Sequence, residues 1–175
     1  CPVNPGHQRA GNRISDLRIE LPSTKVPHFM RTLLSDWIIT DEVAKLFKEA
    51  GFTGYKSKPV IVNKVRRGNK EDVPPLWELI VTGRGGVAHP KSEIKLKYEC
   101  SACGHKVYTG FGKGLFVDES QWDGSDFFTV WPLPKFIIVT ERVRDFIEKY
   151  KLTNCKLIST EKLIGKGEEG TLSPS

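Results

Sequence analysis

Two stretches lying one hundred residues apart carry the same alternation of apolar and polar positions. "IITDEVAKLFKEAGFTGYK" (residues 38–56) and "IVTERVRDFIEKYKLTNCK" (residues 138–156) align without a gap. Ile38 and Ile138, Thr40 and Thr140, Val43 and Val143, Thr53 and Thr153, and Lys56 and Lys156 are identical. Each copy opens on a short apolar run of strand size, then places apolar residues at i, i+3, i+4 and i+7. That spacing puts Val43, Leu46, Phe47 and Ala50 on one helix face, and Val143, Phe146, Ile147 and Tyr150 on another. Thr40 and Thr140 stand where a helix N-cap is wanted, each followed by an acid that suits the helix dipole. Gly54 and Asn154 occupy equivalent positions after the helices, and both residue types tolerate positive φ. The pattern predicts two strand-helix-strand units forming an internal repeat.

Between the copies the chain alternates in the manner of strands. Residues 58–65, 76–83, 93–100 and 105–111 carry β-branched or alternating patterns, and residues 13–21 read the same way. Residues 66–75, polar with two prolines, read as a loop. "GRGG" (83–86) and "GFGKG" (110–114) lack both phosphate-loop spacings and read as turns or bulges. "WPLP" (131–134) reads as a rigid connection into the second copy. The expected fold is α+β: a mixed or antiparallel sheet, two helices from the repeat, and a metal knuckle. A single domain over residues 1–165 is expected, with a flexible tail at 166–175.

Composition narrows the function class. With 38% hydrophobic and 27% charged residues over 175 positions, the chain has the balance of a folded domain with its own core. The longest apolar run, residues 136–139, is far short of the ~20 residues that span a bilayer. A cytoplasmic protein with reduced thiols is expected, since four cysteines are too sparse for a disulfide scaffold. Because Cys1 opens the sequence in place of an initiator methionine, a processed or truncated form is also expected. A net charge of +6 favours acidic partners only weakly.

The chemistry concentrates at "YECSACGHK" (residues 98–106). Two thiolates separated by two residues grip one side of a metal ion, and Gly104 permits the twist such a turn needs. The redox alternative places C-x-x-C at a helix start; here it joins two strand-like runs, which argues for a hairpin knuckle. The bland alternative is a pair of free thiols in a turn. A tetrahedral zinc site needs two more ligands. The opening "CPVNPGH" begins like a C-P-x-C knuckle, but Asn4 stands in place of the second cysteine and His7 follows three residues on. A structural Cys3His zinc site of Cys1, His7, Cys100 and Cys103 is expected, with His105 the competitor for the fourth place. Cys155 reads as a small buried hydrophobe.

The runs "LWELIVTGRGGVAHP", "YECSACGHKVY", "DESQWDGSDFF" and "PKFIIVTERVRDFIEKYKLTNCKL" together resemble the bacterial double-CXXCG motif family. The likeness extends from about residue 37 to residue 163. It implies two C-x-x-C-G motifs jointly holding one metal, with Cys1 in the first of them, and a segment preceding that motif. Asn4 and Pro5 depart from the pattern. Some members of that family are immunity proteins that bind and neutralise a toxin, so the resemblance implies a cognate protein toxin as partner.

An inhibitor of that kind needs a surface rather than a catalytic set. The acidic loop at 118–126 offers Asp118, Glu119, Asp123 and Asp126 around Trp122, a candidate partner-binding surface for a basic toxin cleft. The competing interpretation is a solvated loop with the tryptophan tucked into the core. The basic stretch at 56–70, with six basic residues and no acid, gives the alternative function of a zinc-stabilised nucleic-acid-binding module. No catalytic dyad or triad is evident, so an enzyme is not expected.

Overall fold

The computed structural model describes residues 1–7, 15–165 and 169–171. Within them the chain is α+β, mostly sheet, with two helices of nine residues each. Strands β1 (Arg18–Leu21), β2 (Phe29–Arg31) and β3 (Trp37–Thr40) lead into α1 (Asp41–Glu49), then β4 (Tyr55–Pro59) and β5 (Ile61–Val65). β6 (Leu76–Val81), β7 (Gly83–Val87), β8 (Leu96–Glu99) and β9 (Lys106–Tyr108) follow. β10 (Phe127–Trp131) and β11 (Leu133–Val139) precede α2 (Glu141–Lys149), and β12 (Glu169–Thr171) comes last. No helix among the described residues is long and apolar enough to cross a membrane.

Four small sheets result. An antiparallel one runs in the order β2-β3-β6-β4, and β1 pairs parallel with β5. β10 is central to β11-β10-β7, antiparallel to β11 and parallel to β7. The last sheet, β12-β9-β8, is antiparallel. Within the 166–175 tail, Glu169–Thr171 thus pairs with β9, and the remaining positions lie outside the described residues.

The two helices match at the spacing of one hundred. Val43 and Phe47 are buried on α1, Val143 and Ile147 on α2, and all four enter one core with Phe29, Ile39, Leu79 and Phe127. Both helices end alike. Phe52 N–H donates to Phe47 O (3.2 Å) and Leu152 N–H to Ile147 O (3.1 Å), each past a residue of positive φ, Gly51 or Lys151. Gly54 and Asn154 take positive φ at 81° and 60°. The third element differs. β4 closes the first unit against β6, whereas residues 151–158 contain no strand. Both segments cover the same core, Phe52 and Tyr55 in the first copy and Leu152 and Leu157 in the second, and only the first lies beside β6 to pair with it.

Hydrogen bonds link the segment after each helix to the strand region before the other helix. Thr53 donates through its amide (3.0 Å) and hydroxyl (3.2 Å) to Asp126 Oδ2, and the Asp126 amide donates back to Thr53 Oγ1 (3.1 Å). In the mirrored place the Thr153 amide donates to His28 Nδ1 (2.9 Å), and the His28 amide donates to Thr153 Oγ1 (3.2 Å). Phe127 N–H donates to Thr53 O and Phe29 N–H to Thr153 O, so each turn extends the other unit's hairpin.

Several sequence expectations are corrected. Thr40 and Thr140 occupy the N-cap positions, yet neither side chain caps its helix. Thr140 Oγ1 donates to Asp126 Oδ1 (3.0 Å), because that buried carboxylate competes for the hydroxyl. "GRGG" makes up most of β7 rather than a turn, but the expected bulge is there: Arg84 to Val87 runs opposite Thr129 to Trp131 with one residue extra, and Gly86 takes φ 65°. Side chains at Gly83 or Gly85 would strike Ser125, Phe128 or Val130, so only glycine lets β7 approach β10. "WPLP" forms the tip of the β10–β11 hairpin, with Trp131 and Leu133 both in strands and Leu133 fully buried. The expected strand at 58–65 breaks at Val60, whose amide donates to Leu76 O, and its halves join different sheets. The strand expected at 13–21 is narrower, since β1 starts at Arg18, and positions 13 and 14 lie outside the described residues.

Asp126, 7% exposed, accepts from Thr53, Thr140 and Arg142. Asp126→Ala strands those donors at the junction, and a loss of about 3 kcal/mol in denaturant-unfolding free energy is expected. A loss below about 1 kcal/mol would contradict the role given to this carboxylate.

Candidate metal centre

The knuckle begins with a hairpin. β8 and β9 run antiparallel to the pair Glu99 and Lys106, and six residues remain to reverse the chain. Gly104 N–H donates to Cys100 O (2.7 Å), Cys103 N–H to the same oxygen (3.3 Å), and Cys100 N–H to His105 O (2.8 Å). Gly104 sits at φ 65°, the conformation its lack of a Cβ makes inexpensive. This turn swings the Cys100 and Cys103 side chains to the same side.

The first seven residues supply the other half. The Gly6 amide donates to Asn4 Oδ1 (2.8 Å) and the His7 amide to Asn4 O (3.0 Å), forming a tight turn. Asn4 thus fills the place of the missing cysteine with a turn-forming side chain, and its Nδ2 lies 3.3 Å from His7 Nε2 on the far side of the ring. That turn delivers His7 Nδ1 to 3.7 Å from Cys103 Sγ. Cys1 Sγ lies 3.8 Å from Cys100 Sγ.

These distances decide the chemistry. A disulfide would bring two sulfurs to ~2.05 Å. Two sulfurs each ~2.3 Å from one ion at a tetrahedral angle stand ~3.8 Å apart, and a sulfur and an imidazole nitrogen stand slightly closer. The four ligand atoms of Cys1, His7, Cys100 and Cys103 all lie within 4.8 Å of one another. The residues fit a single tetrahedral metal ion, with two ligands from each half. The group that converges contains His7 and not His105, which is buried and stacks its ring on that of His7 at 4.1 Å and 3° between planes. His105 backs the ligand ring without joining the cluster.

The thiol electrostatics favour metal binding. Burial pushes the Cys100 thiol up, but the Ala102 and Cys103 backbone amides, the Tyr98 hydroxyl and the Cys103 thiol outweigh it and bring the group down to about 6. Tyr98 donates its hydroxyl to that sulfur, which raises its own pKa. A thiolate already present at neutral pH is the form that ligates. Tyr98 carries no sequence signal beyond its position two residues before the first cysteine. By contrast Cys155 packs at the edge of the main core, where burial pushes its thiol up.

The acidic loop is used mostly from within. Trp122 packs on Phe128 at 5.5 Å between centroids and donates its indole N–H to Ser125 O (3.1 Å). Asp123 accepts from the Arg84 amide (2.8 Å), the Ser125 amide (3.0 Å) and the Ser125 hydroxyl. Asp118 accepts from Ser120 and Gln121 and starts a short 3-10 turn. Glu119 faces solvent and Asp126 is buried at the unit junction. No protein-family model matches the sequence, and the search of curated proteins finds no match.

Purified chain is expected to carry one tightly held metal ion per molecule. Cys100→Ser should abolish it, His7→Ala should weaken it, and His105→Ala should retain it, all read by elemental analysis after dialysis. Retention of a full equivalent by Cys100→Ser would contradict the ligand set.

Proposed function

We propose that the chain is a binding protein, clamped by a structural zinc ion, that neutralises a cognate bacterial protein toxin in the cytoplasm. The observation that carries the first part is the convergence of three sulfurs and one nitrogen at tetrahedral spacing. Soft thiolates with one imidazole suit zinc, and a site closed by four protein ligands leaves no position for a substrate. Such an ion acts through stability. The segment holding Cys1 and His7 is largely exposed, with Val3 at 73%, and its turn has little apolar surface to anchor it. In small peptides a structural zinc contributes roughly 10–16 kcal/mol to folding. Here it would chiefly fasten residues 1–7 to the β8–β9 hairpin.

Support for toxin neutralisation comes from the motif likeness of residues 98–108, 118–128 and 134–157 to the double-CXXCG family. A non-catalytic role agrees with the closed ligand set. In this reading exposed Glu119 is the acid that meets the partner, since both carboxylate oxygens of Asp118 and of Asp123 already accept hydrogen bonds within the loop and from Arg84. The nucleic-acid alternative has less behind it, because Lys56 and Lys58 lie on β4 while Lys64 lies on β5 in a different sheet.

Co-expression with candidate bacterial protein toxins tests the proposal. Growth should be rescued and the two proteins should co-purify. Glu119→Lys should weaken the complex by about tenfold while leaving the metal in place. Absence of both rescue and co-purification would overturn the toxin assignment. Chelation in denaturant should remove zinc and lower the melting temperature; a melting curve indifferent to zinc would overturn the clamp.

A further inference from the structure

A groove of about 520 Å³ lies between α1 and the edge strand β4, within the size range of clefts that bind small ligands or a few side chains. Asp41, Lys45 and Lys48 enter it from one face of the helix, at i, i+4 and i+7. Tyr55 and Lys56 enter from β4, and Trp77 from β6. β4 pairs only with β6 among the described residues, so the groove opens along a free strand edge past which an extended chain can run.

Its charges are unbalanced. Three ammonium groups face one carboxylate, and that carboxylate is engaged: Asp41 accepts from Lys45 Nζ (2.6 Å) and from the Trp77 indole N–H (3.0 Å). Lys48 and Lys56 form no ion pair among the described residues, and both are exposed. Tyr55 is half-buried, its ring edge-on to Phe47 and Phe127, and its hydroxyl makes no hydrogen bond among the described residues. Two uncompensated cations and an unused phenol donor therefore surround one apolar-walled recess.

We propose that this groove receives an acidic segment of a partner protein, with carboxylates paired to Lys48 and Lys56 and one of them accepting from the Tyr55 hydroxyl. A nucleic-acid strand fits less well. Its phosphates need a track of cations, and the remaining basic residues of 56–70 do not line the groove. Its bases need exposed ring faces, whereas Tyr55 is committed edge-on to the core. The inference rests on the groove alone and holds whether or not the partner is a toxin.

The test uses the full chain and a fluorescein-labelled peptide of alternating glutamate and tyrosine, followed by anisotropy at low salt. Oligodeoxythymidine of equal charge serves as the comparison probe. Peptide binding is expected to weaken about tenfold or more in Lys48→Glu with Lys56→Glu, and a few-fold in Tyr55→Phe. It should change less than about twofold in Lys64→Glu with Arg67→Glu, which alters net charge equally. The lysine and arginine positions are exposed and Tyr55→Phe keeps the ring, so the fold stays intact, checked by matching melting curves. Lack of peptide binding by the unaltered chain, equal loss in both double variants, or tighter binding of the oligonucleotide would overturn the proposal.

Discussion

The buried carboxylate of Asp126 is the constraint on which the arrangement of this chain depends. A charge removed from water persists only where donors replace its hydration, and here they come from three places in the chain. Thr53 brings the end of the first unit, Thr140 the start of α2, and Arg142 the first turn of that helix. Arg142 also covers Phe52 at 4.7 Å and reaches Ala50 O. Satisfying one carboxylate thus seats α2 against the end of α1 and closes the core around Phe47 and Phe127. His28 and Thr153 repeat the exchange on the other side with an imidazole nitrogen in place of a carboxylate.

From that junction order extends toward the metal centre. β10 continues directly from Asp126, and Trp131 at its end meets Tyr108 of β9 edge-on at 5.8 Å. Phe111, 1% exposed, joins the second core and exchanges backbone hydrogen bonds with Gly165. The hairpin that carries Cys100 and Cys103 is therefore rooted in packed structure, while Cys1 and His7 are not. A metal ion held by these four residues would tie residues 1–7 to that hairpin.

Charge is distributed along the same division between inside and outside. The acids of residues 118–126 largely turn inward to satisfy amides and hydroxyls. The lysines of α1 and β4 turn outward, with flexible stems and strongly hydrated heads. The surface available for recognition is consequently more basic than a reading of the two charged stretches implies, and the groove beside α1 is where apolar walls and unpaired cations coincide.

The sequence by itself determined what neighbours along the chain can decide. The two amphipathic helices, their positive-φ turns at Gly54 and Asn154, and the reversal through Cys100, Cys103 and Gly104 follow from spacing and local sterics. Cys1 and His7 were legible too, because metal chemistry demands four donors and few were on offer. Tertiary structure decided the rest, because partners in a sheet and burial of a charge are set by residues far away in sequence. Nothing near Gly83 announces that Phe127 and Ser125 will press against it, and nothing near Asp126 announces Thr53. The closing strand formed after α1 and not after α2 for the same reason: both segments cover the core, but only the first had a strand, β6, beside it to pair with.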